Sequence, residues 1–328
     1  MSELFKKYLN KDPIKKEEGI EKKVPTYTSI PVSFGNAKGS SENRDIPKKD
    51  TTRSLKYTED GRPIFRVSQS LIKQFTTKNG MGIPYCPFKI YTCNIIKSHN
   101  TITTLPMMKG NFFESLAIGG TAYGEAVLDL PRAVRPKGQK TIDQIRIEEQ
   151  AIEFKRLCQQ YGIEITEDNT QVKYKVDYPT EWDDKFKIYL TGVIDIEHKI
   201  YYQGEFIEAV IDLKLTADLK NTFGPFAWGN ASQNDHLQFD MYNLMSGKRC
   251  VYWVFDYSKN KNQEMFMHDP DEEDIIMMHA RIKHTIIELT FCYDSEWPVI
   301  ADYDSCSNCP HNPKNTGNCR SADNIKTI

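Results

Sequence analysis

Apolar positions recur along the chain with two periods, and the switches between them sketch the fold. Ser68 stands before Leu71, Ile72 and Phe75, which share one helical face, so Ser68 is expected to cap a helix. Residues 110–128 read as a helix with a break at Gly119-Gly120, and 141–161 as a longer one ending near Gly162. Alternation at Val172, Tyr174, Val176 and Tyr178 predicts a strand. Two apolar runs follow at 188–196 and 206–214, then a helix over 234–246. Cys250 to Tyr257 is almost wholly apolar, as a strand buried on both faces requires. The last long helix, 271–290, opens on the acidic run Asp271 to Asp274, which suits the positive end of its dipole. Strands mixed with helices predict an α/β domain with a central mixed β-sheet flanked by helices.

Residues 1–62 break this pattern. They are rich in charge and poor in large apolar groups, so they cannot offset the entropy of being ordered. A flexible N-terminal tail is expected there, in which residues 3–10 read either as a frayed end or as one short amphipathic helix that offers a docking peptide. The domain proper is expected over 63–328, with order beginning near Phe65. The whole chain has 328 residues, 39% of them apolar and 27% charged, and a net charge of −2. No apolar run approaches the ~18–20 residues that span a bilayer, so no membrane association is expected. Met1 to Lys7 carries no apolar signal core, which predicts a cytoplasmic setting with its eight cysteines reduced. The near-neutral charge offers no global basic field, although a single groove can still be basic.

The candidate chemistry lies in two of the apolar runs. Tyr189 to Ile196 and Ala209 to Leu215 each hold one aspartate among aliphatic residues, Asp195 and Asp212. The midpoint between the two falls between Gln203 and Gly204. A turn there makes an antiparallel hairpin with Asp195 opposite Asp212, their Cβ atoms roughly 4.5–5.5 Å apart. Lys214, two residues on, shares the face of Asp212. Two like charges so close destabilise a sheet, and a divalent cation reverses that sign. The alternative is a pair of solubilising edge charges with Lys214 as counter-ion. Glu114 adds a third acid inside an apolar helical start, Gly110-Asn111-Phe112-Phe113-Glu114. Gln238 and Tyr242, four apart, share a helix face and suit contacts to a nucleic-acid backbone and bases.

The order of these motifs resembles a known family. Gly-x-x-x-acid, Gly-x-x-Asp, Asp-x-Lys and Gln-x-x-x-Tyr, in that order, look like the PD-(D/E)XK nucleases of the RecB type. The resemblance spans roughly residues 68–320. It implies a Mg²⁺ or Mn²⁺ site held by Glu114, Asp195 and Asp212 with the Leu213 carbonyl. It further implies that Lys214 positions the attacking water, and that Gln238 and Tyr242 lie on the helix that contacts DNA. One departure is plain: the RecB type usually has His where this chain has Glu114, and an acid there occurs in related exonucleases.

The cysteines form a second constellation. Cys306, Cys309 and Cys319 give Cys-x2-Cys-x9-Cys, and the first pair has the spacing that lets two thiolates grip one metal or cluster. A fourth ligand is needed, and spacing alone does not choose among Cys86, Cys93, Cys158, Cys250 and Cys292. Ser68-x-x-Leu71 followed by Cys86-Pro87-Phe88-Lys89-Ile90-Tyr91 resembles the opening of the iron–sulfur nucleases of the AddB and CRISPR-adaptation kind. That resemblance implies a [4Fe–4S] cluster on Cys86, Cys306, Cys309 and Cys319, although the last gap is longer than usual. Structural zinc, with His311 as a replacement ligand, and no metal at all are the alternatives. Cys158 and Cys250 read as small buried hydrophobes.

No Gly-rich phosphate loop and no Gly-x-Ser-x-Gly occurs, which leaves an ATP-driven motor or a serine hydrolase unsupported. His279 and His284, five apart, do not share a helix face and read as ordinary residues. The paired acids and Lys214 predict a metal site, and the resemblance implies a metal-dependent deoxyribonuclease, exonuclease-like on single-stranded DNA or DNA ends, stabilised by a cluster and working in recombination, repair or replication. A helicase, recombinase or replication protein is a candidate partner for the tail, which the sequence does not decide. Two other readings stay open: a non-catalytic nucleic-acid-binding or assembly subunit on the same fold, and a zinc-stapled protein of other function.

Overall fold

The computed structural model describes residues 55–76, 86–98, 104–119, 130, 140–182, 184–202, 204–222, 227–229, 236–299, 309–311 and 319. The expected tail and its docking helix fall almost wholly outside them, as does Cys306. Leu55–Ile328 forms one compact unit.

Seven strands among the described residues make one mixed sheet. β1 (Lys56–Tyr57) pairs antiparallel with β2 (Pro63–Val67). β3 (Thr170–Asp177), β4 (Lys187–Tyr202), β5 (Glu205–Thr216), β6 (Arg249–Asp256) and β7 (Gln263–His268) follow. The order across the sheet is β1-β2-β4-β5-β6-β7, with β3 attached to β4. The sheet opens before the point the hydrophobic pattern predicts. Lys56 and Tyr57 are exposed and pair only through backbone, which leaves no apolar signature.

β4 is the spine of the sheet, and its two edges are used differently. β3 runs antiparallel along one edge, from Tyr189 to Ile196. The other edge is shared. β2 lies parallel to Lys187–Leu190, and β5 lies antiparallel to Ile196–Tyr202. Residues 191–195 of β4 fall between these two ladders, so the sheet forks there. β5 then pairs parallel with β6 from Ala209 to Thr216.

Helices cover both faces. α1 (Gln69–Thr76), α5 (Leu237–Ser246) and α6 (Glu272–Asp294) pack on one, with Leu71, Met241 and Ile282 against Leu190, Val210 and Val254. α3 (Leu105–Ile118) and α4 (Ile142–Tyr161) pack on the other, with Phe113 and Phe154 against Ile211, Trp253 and Phe255. β6 alternates between the two cores, even residues to one and odd to the other. A short helix, α2 (Pro87–Ile90), continues into one π-helical turn, Tyr91–Ile95.

The helix ends follow local chemistry. The Ser68 hydroxyl accepts from the Leu71 N–H at 3.3 Å, and Thr141 caps α4 by accepting from the Gln144 N–H. Asp271 and Asp274 close a capping box on α6. Gly119, Gly162 and Gly247 end α3, α4 and α5 in the left-handed conformation that glycine adopts without strain. α3 starts earlier than expected, at Leu105. Pro106 sits in its first turn, where the missing N–H costs nothing. No helix among the described residues is long and apolar enough to cross a membrane.

His279 does more than the sequence suggests. Its Nδ1 lies 2.7 Å from the Tyr178 hydroxyl and ties α6 to the end of β3. Burial pulls the His279 pKa down and pushes the Tyr178 phenol up to about 12. A histidine held neutral when folded binds fewer protons than the unfolded chain below about pH 6.5. Stability is therefore lost as pH falls through that value. His279→Gln is expected to flatten the pH dependence of the urea midpoint between about pH 7 and 5. A slope as steep as that of the unaltered protein would refute the assignment.

Candidate active site

The acids lie at the fork. The β4–β5 ladder ends at Ile196–Ile211, with Tyr202 opposite Glu205 at the turn. The same register carried one residue further sets Asp195 against Asp212, as the midpoint of the hairpin predicts. The two strands do not exchange ordinary backbone bonds across that step. Instead the Leu213 N–H donates to Asp195 Oδ2 at 2.7 Å, so a side chain spans the opening. Both aspartates are buried. The alternation of β4 also slips here: Ile194 packs in one core and Ile196 in the other, although two residues apart.

Lys214 makes an ion pair with Asp212, and its Nζ donates to Gln238 Oε1 at 3.1 Å. Gln238 Nε2 donates in turn to Asp212 Oδ1 at 2.5 Å and to the Tyr242 hydroxyl at 3.1 Å. The Tyr242 hydroxyl donates to the Val193 carbonyl at 2.8 Å. The glycine of Gly-x-x-Asp thus gains a reason. A Cβ on Gly192 would stand 2.6 Å from Met245 Cε and 3.0 Å from Tyr242 Cε1, so a larger residue there would make both α5 side chains shift.

Glu114 arrives from the opposite face, on α3. Gln171 of β3 donates through Nε2 to Glu114 Oε1 at 2.9 Å and to Asp195 Oδ1 at 3.4 Å. Nothing in the sequence reading singled out Gln171. Its partners lie 57 and 24 residues away, and no motif includes it. α3 is itself anchored by Lys109, whose Nζ donates to Asp143 at 2.7 Å and to the Tyr257 hydroxyl at 3.2 Å.

The electrostatics follow from this crowding. Burial, then the charges of Asp212 and Glu114, hold the Asp195 carboxyl well above the usual carboxylate range. Burial lifts Asp212 as well, against the pull of Lys214 and Gln238. Burial works against the Lys214 ammonium, but Asp212 and Asp195 outweigh it and raise its pKa. Carboxyls raised in this way weaken the fold when they ionise. A cation among them would offset that repulsion. Among the described residues no three His, Cys, Asp or Glu side chains form a ready metal cage. The donor set of carboxylates beside the end of the β4–β5 ladder, with the Leu213 carbonyl on the same strand as Asp212, nonetheless fits a hard divalent ion of the Mg²⁺ or Mn²⁺ class.

No protein-family model matches the chain, and no curated protein does. Among solved structures, the chain is similar to a crystal structure of a "putative exonuclease" from Eubacterium rectale. The two are 14% identical at a TM-score of 0.47, over 80% of this chain and 89% of that one.

The second constellation is placed in part. Cys86 is buried at the start of α2, and Cys309 and His311 are buried as well. Residues 309–311 lie against the segment that Cys86 opens. His311 Nε2 stands 2.7 Å from the Thr92 hydroxyl, and its ring lies 4.9 Å from that of Phe88. The Cys319 N–H donates to the His311 carbonyl at 2.7 Å. Cys93 and Cys292, unassigned from sequence, are neighbours of Cys86, which helps raise the pKa of both thiols after burial itself. Cys158 and Cys250 are buried, and burial pushes the Cys158 thiol up to about 12.

Proposed function

We propose that the protein is a Mg²⁺- or Mn²⁺-dependent deoxyribonuclease acting on single-stranded DNA or DNA ends. The observation that carries the reading is the convergence of Asp195, Asp212 and Lys214 at the fork of the sheet, with Glu114 drawn towards them through Gln171. Glu114, Asp195, Asp212 and the Leu213 carbonyl are the groups that would hold the cation. When bound, such an ion polarises the scissile phosphate and lowers the pKa of water.

The chain's own groups do the rest. Lys214 supplies a fixed positive charge beside the reacting phosphate and orients the attacking water. Gln238 holds both Lys214 and Asp212, so the ammonium keeps one position while substrate enters. Tyr242 secures Gln238 from below. Tyr242 is buried against β4, so half-buried Gln238 is the proposed contact of α5 to the DNA strand.

We further propose a [4Fe–4S] staple on Cys86, Cys306, Cys309 and Cys319. The docking of residues 309–311 against α2 and the π-helical turn supports it.

The test is direct. Protein freed of metal and then given Mn²⁺ is expected to degrade end-labelled single-stranded DNA, and added chelator to stop it. Intact DNA after prolonged incubation with Mn²⁺ or Mg²⁺ would remove the catalytic reading and leave a binding subunit.

A further inference from the structure

Gln171 is the one residue of this site that breaks the rules of its own strand. Its φ is +52°, in the left-handed region, inside a run of extended backbone. Such a conformation in a residue other than glycine costs free energy and persists only where the surroundings over-determine it. The position is also directly across from Asp195. Thr170 pairs with Ile196 and Val172 with Ile194, so Gln171 is opposite Asp195, where the alternation of β4 slips. Two irregularities on facing strands therefore coincide at the acids.

The side chain explains what the strain achieves. Nε2 reaches Glu114 on α3 and Asp195 on β4 at once. Those two acids come from different layers and repel each other. The amide NH₂ donates to both, and it lies where positive charge is needed. Gln171 Oε1 is buried with no hydrogen-bond partner among the described residues, so within them the carboxamide is held by its donor end. A carboxylate oxygen has two lone pairs. A bond to the amide uses only one of them, so Gln171 aims both acids while each bonded oxygen keeps the capacity to bind a cation.

We propose that Gln171 is a positioning residue of the acid site, setting Glu114 and Asp195 on a common bearing for a divalent cation. The inference rests on the metal-site reading above. Groups that orient ligands in this manner typically account for 10–100-fold in metal affinity.

The experiment measures Mn²⁺ binding by electron paramagnetic resonance of the free ion, alongside urea unfolding in chelator. Gln171→Gly adopts a φ of +52° freely but has no amide, and is expected to bind Mn²⁺ about 10–100-fold more weakly. Its unfolding midpoint in chelator is expected to equal or exceed that of the unaltered protein. Gln171→Asn also tolerates the left-handed backbone, but its shorter amide does not reach both acids, so it is expected to lose affinity too. Equal or tighter Mn²⁺ binding by the glycine variant would overturn the assignment. So would a lowered midpoint with unchanged affinity, the mark of a purely structural residue. If the unaltered protein takes up no Mn²⁺, the metal reading itself fails, and the role of Gln171 falls with it.

Discussion

Asp212→Asn is expected to abolish DNA cleavage while the domain stays folded. The substitution keeps the shape and the bond from Gln238, but removes the charge that pairs with Lys214 and that would hold the cation. Loss of one such preorganised group costs on the order of 10²–10³-fold, and loss of a metal ligand at least as much. Lys214→Ala is expected to fall in the same range for a different reason: the acids remain, but the positive charge beside the phosphate is gone. Groups that act as a unit are not additive, so the double variant is expected to be little worse than either single one. Single-turnover cleavage of end-labelled DNA in Mn²⁺ measures the loss, and circular dichroism melting checks the fold. Persistent cutting by both single variants would sink the enzymatic reading.

Cys86→Ser is expected to bleach and destabilise the protein. Cys86 and Cys306 are 220 residues apart, so a cluster holding both closes a very long loop. On the chain-entropy account a cross-link of that span contributes about 5 kcal/mol. For a domain of this size that is a fall in melting temperature on the order of 10 °C. Anaerobically purified protein should be brown and contain iron, and the variant should be colourless and melt earlier. Stoichiometric zinc in a colourless native protein would replace the cluster with the zinc alternative. No change in either metal content or melting would remove the staple.

Much of the framework was legible because the chain carries its own rulers. Asp195 and Asp212 sit at equal distances from Gly204 and Gln203, so the hairpin register follows from counting. Asp271 and Asp274 announced the start of α6, and Gly162 the end of α4. What stayed hidden depends on tertiary contact. β7 is only half-buried and has no clear alternation. Lys56 and Tyr57 join the sheet by backbone alone. Gln171 looks like any polar residue in a strand until its left-handed backbone and its two distant acids are seen together. Cys292 lies 206 residues from Cys86 and comes near it only through tertiary packing, which no spacing rule encodes.

The fork in β4 has one more consequence. Glu114 is delivered by the layer on one side of the sheet, and Gln238 by the layer on the other. The reactive centre is thus a clasp that both layers must hold shut. If either one lifts, the groups part well before the protein loses its overall form. On the proposed nuclease reading, cutting would then report correct assembly, since a half-folded copy would have no means to cut.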